Sequence, residues 1–243
     1  MIRLGMMTPS SNTVLEPVTA SLLQSTPHIT AHFQRLRVTH IALGEASVHQ
    51  FDPSQMLPAA DMLADAKVHA IAWNGTSASW LGFERDQALC AAIKTRTGIA
   101  ATSSTLAYRE AFHRYGAKKI GLVTPYTDSV QQQIIKVWAD HGFDCSNEMH
   151  LGWSDNFSFS EAKENVIGDM IRHVVAKGCD AVAILCTNMN GARMCTQLEK
   201  EYAIPLVDSV AVTLWHSLEM AGATDTIPNG GRIFTDPAFK PHA

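Results

Sequence analysis

Part of this chain occurs twice. Leu4-Gly5-Met6-Met7-Thr8-Pro9 returns 116 positions later as Ile120-Gly121-Leu122-Val123-Thr124-Pro125. Ala70-Ile71-Ala72-Trp73-Asn74-Gly75-Thr76 returns after 111 as Ala181-Val182-Ala183-Ile184-Leu185-Cys186-Thr187. Thr97-Gly98-Ile99-Ala100 returns after 105 as Tyr202-Ala203-Ile204-Pro205. Any two parallel-strand units share small and apolar residues, so a single match says little. Three matches in order, with a slowly drifting offset, point to a duplicated unit with small loop changes.

Within each copy, short apolar runs alternate with longer helical patterns. Strands are predicted over residues 3–8, 31–38, 68–73 and 99–102, then over 119–123, 143–151, 181–185 and 205–207. Helices are predicted over 14–23, 53–66, 83–97 and 104–115, then over 129–141, 160–177, 191–202 and 210–221. Such alternation predicts an α/β fold with parallel sheets. Two pseudo-symmetric lobes follow, each a short parallel sheet flanked by helices. The first spans residues 1–115 and the second 116–209, with 210–243 expected to pack back on the first. The tail from 224 is rich in Pro, Gly and Asp and reads as mostly irregular.

Composition narrows the function classes. The 243 residues, 46% hydrophobic and 17% charged, suffice for one large or two small domains that bury a core without disulfides or metal. No window approaches ~18 consecutive apolar residues, which excludes a membrane-spanning helix. The apolar start turns polar at Thr8, too early for a signal peptide. A net charge of −4 without a Lys/Arg run argues against nucleic acid. The five cysteines, Cys90, Cys145, Cys179, Cys186 and Cys195, are scattered and expected to be reduced. Neither Cys-x-x-Cys nor His-Glu-x-x-His occurs, so no metal is expected. The expectation is a cytoplasmic small-molecule protein, with a homo-oligomer left open.

In parallel sheets, ligand groups gather beyond the carboxyl ends of the strands. Two facing lobes would bring loops 8–13, 75–80, 124–127 and 186–191 around one cleft. All are crowded with Ser, Thr, Asn and Gly, which cap helices and donate hydrogen bonds. Cys186 is either a buried structural thiol or, as a strand-end thiol ahead of a helix, an acid–base group whose pKa the helix N-terminus lowers. Thr76 and Ser77 read as an N-cap pair that is also an anion site. Tyr126 is either a surface aromatic or a phenol aimed into the cleft. Asn12 and Asn156 are either helix caps or substrate contacts, and Trp80 and Trp153 either line a pocket or simply pack.

The segments Pro9-Ser10-Ser11-Asn12, Gly75-Thr76-Ser77, Thr124-Pro125-Tyr126, Asp155-Asn156, Cys186 and Pro228-Asn229-Gly230-Gly231-Arg232 stand in order along the chain. Together they resemble the aspartate/glutamate racemase superfamily, on the branch that holds arylmalonate decarboxylase and maleate cis–trans isomerase. The resemblance implies Cys186, Tyr126, Thr76 and Ser77 as catalytic groups. It implies Gly75, Asn12, Pro9, Ser10, Thr187 and Asn156 as contacts to a small carboxylate, with no metal or cofactor. Racemases of the superfamily oppose two cysteines, one per lobe; here the repeat pairs Cys186 with Gly75, which argues against two-base racemisation. Gly75-Thr76-Ser77 is similar to the decarboxylase pattern, whereas Ser10-Ser11-Asn12 is similar to the isomerase pattern. The implied activity is cofactor-independent decarboxylation of a substituted malonate through an enediolate protonated by Cys186. The alternatives are maleate-type isomerisation and carboxylate binding without catalysis.

Overall fold

Both copies fold as four-stranded parallel sheets, in the order β2-β1-β3-β4 and its repeat β6-β5-β7-β8. The computed structural model describes residues 1–239. The first sheet comprises β1 (Ile2–Pro9), β2 (Ile29–Leu36), β3 (Ala70–Trp73) and β4 (Ala100–Ser103). Its helices are α1 (Leu15–Leu22), α2 (Glu45–His49), α3 (Pro53–Asp65), α4 (Ala78–Leu81), α5 (Phe83–Thr97) and α6 (Ser104–Tyr115). The second sheet comprises β5 (Ile120–Thr124), β6 (Glu148–His150), β7 (Ala181–Ile184) and β8 (Leu206–Asp208). With it run α7 (Asp128–Asp140), α8 (Glu164–Ala176), α9 (Ala192–Tyr202) and α10 (Ser209–Met220), and a short α11 (Arg232–Thr235) lies in the tail.

Strand register confirms the duplication residue by residue. Leu4 pairs with Ala70 as Ile120 pairs with Ala181, and Ala72 pairs with Thr102 as Ala183 pairs with Val207. The glycine kept in both copies has a packing cause. A Cβ on Gly5 would come 3.0 Å from Val68 and 3.3 Å from Leu63, and one on Gly121 would come 2.8 Å from Val174. These glycines let α3 and α8 lie close on β1 and β5. The inner strands are buried on both faces, so they read as continuous apolar runs instead of alternating.

Helix ends follow their local chemistry. Asp52 accepts from Ser54 N with Pro53 in the first turn of α3, Ser103 accepts from Leu106 N at the start of α6, and Asp208 accepts from Val210 N and Ala211 N at the start of α10. Gly98 and Gly116 close α5 and α6 in the left-handed region, at φ 75° and 64°. Helix α10 packs on α6, β4, β3 and α1. The tail holds α11 and one 3-10 turn before residues 240–243, which lie outside the described part.

Two expected boundaries move by four residues or more, and a helix is new. The strand predicted over 143–151 shrinks to Glu148–His150, because the Asp144 carboxylate accepts from Ser146 N at 3.0 Å and turns the chain first. The helix predicted from 160 begins at Glu164, after a separate 3-10 turn at Ser158–Glu161. The five-residue α2 is new; a single turn is too short to show an amphipathic pattern in the sequence.

One buried carboxyl in this fold makes stability depend on pH. Asp86 on α5 is 4% exposed, and burial raises its pKa to about 7 against a hydrogen bond from Ser103. The folded state therefore holds this proton more tightly than the unfolded chain. That stabilisation is complete below the ordinary carboxyl pKa of 3.8 and is lost as pH rises through about 7. Asp86→Asn is expected to stabilise the protein by roughly 2–4 kcal/mol at pH 8 and by little at pH 4. Thermal unfolding at both pH values checks this; equal shifts at the two would contradict it.

Candidate active site

The site is assembled where the strand ends of the two lobes meet. At the end of β1, Arg35 donates to the carbonyls of Ser10 and Asn12, each at 2.9 Å, and cinches the turn. The Asn12 side-chain oxygen then accepts from Val14 N and Leu15 N at 2.9 Å and holds the first turn of α1. Its amide nitrogen donates to Thr187 Oγ1 of the second lobe at 3.1 Å. Thr187 in turn donates to the Asn74 carbonyl at 3.1 Å, so one hydroxyl of the second lobe ties together two loops of the first. Asn12 is thus both a helix support and a cleft residue.

A second tie runs through Asn188. Its side-chain oxygen accepts from Thr13 N at 2.9 Å, and its nitrogen donates to the Asn156 carbonyl at 2.6 Å. Asn156 donates to Ser11 Oγ at 2.7 Å, and Ser11 donates to the Val38 carbonyl at 2.8 Å. From α6, Tyr108 reaches into the second lobe and donates to the Ile184 carbonyl at 2.7 Å, just before Cys186. Sequence reasoning passed over Asn188, Asn74 and Tyr108 as site-building residues. The signal for Asn188 was present: the repeat pairs it with Ser77.

Between these ties lies a buried polar cluster. Thr76 Oγ1 and Tyr126 OH are 2.7 Å apart, one from each lobe. Tyr126 also hydrogen-bonds the Cys186 sulfur, which accepts from Asn188 N at 3.3 Å and from Met189 N. Cys186, Thr76 and Tyr126 are 3%, 4% and 3% exposed. The phenol ring is gripped edge-on by Trp80 and Phe159, at 5.3 and 5.5 Å between centroids. The buried Trp80 Nε1, Asn74 Oδ1 and Thr8 Oγ1 have no hydrogen-bond partner among the described residues. Buried polar atoms ordinarily find partners, so these three are exceptions.

Electrostatics correct one expectation. The helix after Cys186 starts only at Ala192, with Gly191 as its cap, so its N-terminus does not act on the thiol. Burial instead pushes the Cys186 pKa from 9.0 up to about 12, outweighing the hydrogen bonds from Asn188, Tyr126 and Met189. Burial also raises Tyr126 well above its ordinary value, helped by the neighbouring Cys186. Both groups are neutral acids at neutral pH. Alkylation of Cys186 by iodoacetamide, followed by mass spectrometry, should therefore keep accelerating about tenfold per pH unit from 8 to beyond 10. A plateau near pH 9 would show a thiol of ordinary acidity.

The remaining expected site residues are placed as follows. Pro9 ends β1 and is buried; the Ser10 hydroxyl accepts from Val38 N at 3.4 Å and is used in holding the turn. Ser77 caps α4 without a side-chain cap bond, and it lines a cavity beside Trp73. Gly75 lies outside the left-handed region, yet a Cβ there would fall 2.3 Å from Trp73 Cε2 and Cζ2. Its missing side chain is thus a matter of packing, not backbone conformation. Trp80 belongs to the cluster wall, while Trp153 is 36% exposed. Cys90, Cys145 and Cys195 are buried, and Cys179 is partly buried. Among the described residues, no three His, Cys, Asp or Glu side chains are grouped to hold a metal ion, and no helix is long and apolar enough to cross a membrane.

Known proteins share this sequence pattern and this architecture. The sequence profile of the family described as arylmalonate decarboxylase matches residues 6–234. A maleate isomerase from Geobacillus stearothermophilus is 24% identical over 247 residues, which covers 96% of this chain and 97% of the relative. A cysteine-to-serine variant of the Nocardia farcinica maleate cis–trans isomerase, solved with a covalently bound succinylcysteine intermediate, superposes with a TM-score of 0.87. It is 21% identical and covers 96% of this chain and 98% of its own. A liganded arylmalonate decarboxylase with glycine-to-cysteine and cysteine-to-serine changes gives a TM-score of 0.85 at 19% identity, over 97% of this chain and 100% of its own. At such identities the solved structures establish the shared fold.

Proposed function

The chain belongs to the arylmalonate decarboxylase family, and from that premise we propose that it decarboxylates small 2-substituted malonates without a cofactor. The observation that carries this reading is the solitary neutral thiol. Cys186 is held protonated by burial, and the repeat sets it opposite Gly75, whose side-chain space is taken by Trp73. A protonated thiol with no second thiol opposite suits one-sided proton delivery.

The steps use only groups in the cluster. The bond between the α-carbon and one carboxylate breaks, carbon dioxide leaves, and the electron pair passes into the remaining carboxylate as an enediolate. Tyr126 and Thr76 hydroxyls, with backbone N–H groups of the turn at Gly75–Ser77, stabilise that charge. Preorganised donors aimed at developing charge are usually the largest catalytic contribution. The Cys186 S–H bond then breaks as a C–H bond forms at the α-carbon. The resulting thiolate is stabilised by Tyr126 and by Asn188 N until it regains a proton from water. Asn12, Thr187 and Asn156 hold the lobes in the geometry this needs, and Pro9 and Ser10 shape the turn that carries Asn12.

A second reading is maleate-type isomerisation, favoured by the relative from Geobacillus that matches nearly the whole chain. In the Nocardia isomerase a cysteine other than the substituted one carries the succinyl group. Here the repeat pairs Gly75 with Cys186, and among the described residues no further thiol hydrogen-bonds within the cluster. A direct product assay separates the readings. Carbon dioxide release from a panel of 2-substituted malonates, with no fumarate from maleate, is the expected result. Fumarate formation would select the isomerase, and tight binding without turnover would select a carboxylate-binding protein.

A further inference from the structure

The repeat pairs Trp73 with Ile184 just as it pairs Gly75 with Cys186. In the second lobe the smaller isoleucine leaves room for a side chain two residues later. In the first lobe the indole takes that room: a Cβ on Gly75 would lie 2.3 Å from Cε2 and Cζ2 and 2.7 Å from Nε1. The indole itself is 1% exposed and packs 6.4 Å from the Phe51 ring. It also lines a cavity of about 180 Å³, whose mostly apolar wall includes Phe51, Met56, Leu81 and Leu89 and also carries Arg85 and Asp86. An apolar cavity of roughly 150 Å³ can hold benzene. By volume, and along its apolar wall, this lobe therefore has space for an aryl group, and the indole stands both in that space's wall and against Gly75.

We propose that Trp73 is the specificity-determining residue on the first-lobe side of the cleft, restricting the substrate to malonates whose α-substituent is small, of about methyl size. This rests on the malonate reading above and names the substrate class for it. Ser77, which follows Thr76 on the same turn and lines the cavity, places the cavity next to the Thr76–Tyr126 pair that would hold the substrate carboxylate on this reading. Replacing the indole with the isoleucine of the other lobe would join cavity and cleft, and the α-substituent could then extend into it. One missing or added group in an apolar pocket changes selectivity by roughly 10–200-fold.

Four proteins test this: wild type, Trp73→Ile, Gly75→Ala, and the double variant. Thermal unfolding reads the packing without reference to activity. Gly75→Ala is expected to lower Tm by roughly 5–10 °C beside Trp73, the loss that overpacking causes in a chain this size, and by under about 2 °C beside isoleucine. Equal losses in both backgrounds would overturn the proposal. The ratio of kcat/KM for phenylmalonate to that for methylmalonate is expected to rise at least about tenfold in Trp73→Ile; an unchanged ratio would overturn it too. If wild type releases carbon dioxide from no malonate, the function reading fails by itself. Calorimetric binding of the same two dianions then reads the size limit, and equal preference in wild type and Trp73→Ile contradicts it. Trp73→Phe, which keeps an aromatic wall but withdraws the larger ring, serves if the isoleucine variant does not fold.

Discussion

Cys186→Ala is expected to lower kcat for malonate decarboxylation about 10³-fold, within the 10²–10⁴ range of a positioned general acid, while the protein remains folded. On the proposed mechanism this thiol, carried by the second lobe, delivers the proton to the substrate carbon, while Tyr126 stabilises charge. Its removal leaves Tyr126 and Thr76 in place, so carbon dioxide loss retains its stabilised enediolate but lacks a proton donor on that face. The substitution removes one sulfur from a buried site, and Asn188 N loses an acceptor at 3.3 Å. Circular dichroism and thermal unfolding should show a modest loss of stability only. Retention of more than about a tenth of kcat, a barrier change under ~1.4 kcal/mol, would take Cys186 out of the mechanism. Cys90→Ala serves as the control, because that thiol lies inside α5 and outside the cluster; it should leave kcat nearly unchanged.

Tyr126→Phe is expected to reduce kcat by roughly 10²–10³ with a much smaller change in KM, the signature of a lost donor to developing charge. The ring keeps its edge contacts to Trp80 and Phe159, so the variant removes the hydroxyl and little else. The phenol sits between Thr76 and Cys186. Its loss therefore also frees the thiol from one hydrogen bond that favours its ionised form. Steady-state kinetics on wild type and variant decide the matter. An effect confined to KM would mean that the phenol binds the ground-state carboxylate alone.

How much of this was legible in the residues depends on the kind of information. The recurrence of Leu4–Pro9 and Ala70–Thr76 carried the two sheets, their register and the identity of the strand-end loops, because a duplicated strand keeps its pairing partners. Boundaries decided by single side chains were harder. The Asp144 turn that delays β6 is one local hydrogen bond, invisible to hydrophobic periodicity. The acidity of Cys186 was expected to rise and instead falls, because strand-end placement is local whereas desolvation depends on everything packed around the thiol. The bare position at Gly75 could be located from the repeat, but its cause could not. That cause is the reach of the Trp73 indole, which requires knowing where a side chain two residues away is directed. Tyr108 ties the lobes together over a long sequence separation, which no pattern in one chain announces.

The central claim is that one thiol, acting alone from one side, protonates the carbanion left by carbon dioxide. Turnover of a prochiral 2-substituted malonate in deuterated water, followed by proton NMR with a chiral shift reagent, tests it most directly. The account predicts carbon dioxide release, one deuterium at the α-carbon, a single product enantiomer, and no later exchange of that α-hydrogen. A racemic product, continued α-hydrogen exchange, or fumarate appearing from maleate under the same conditions would contradict it.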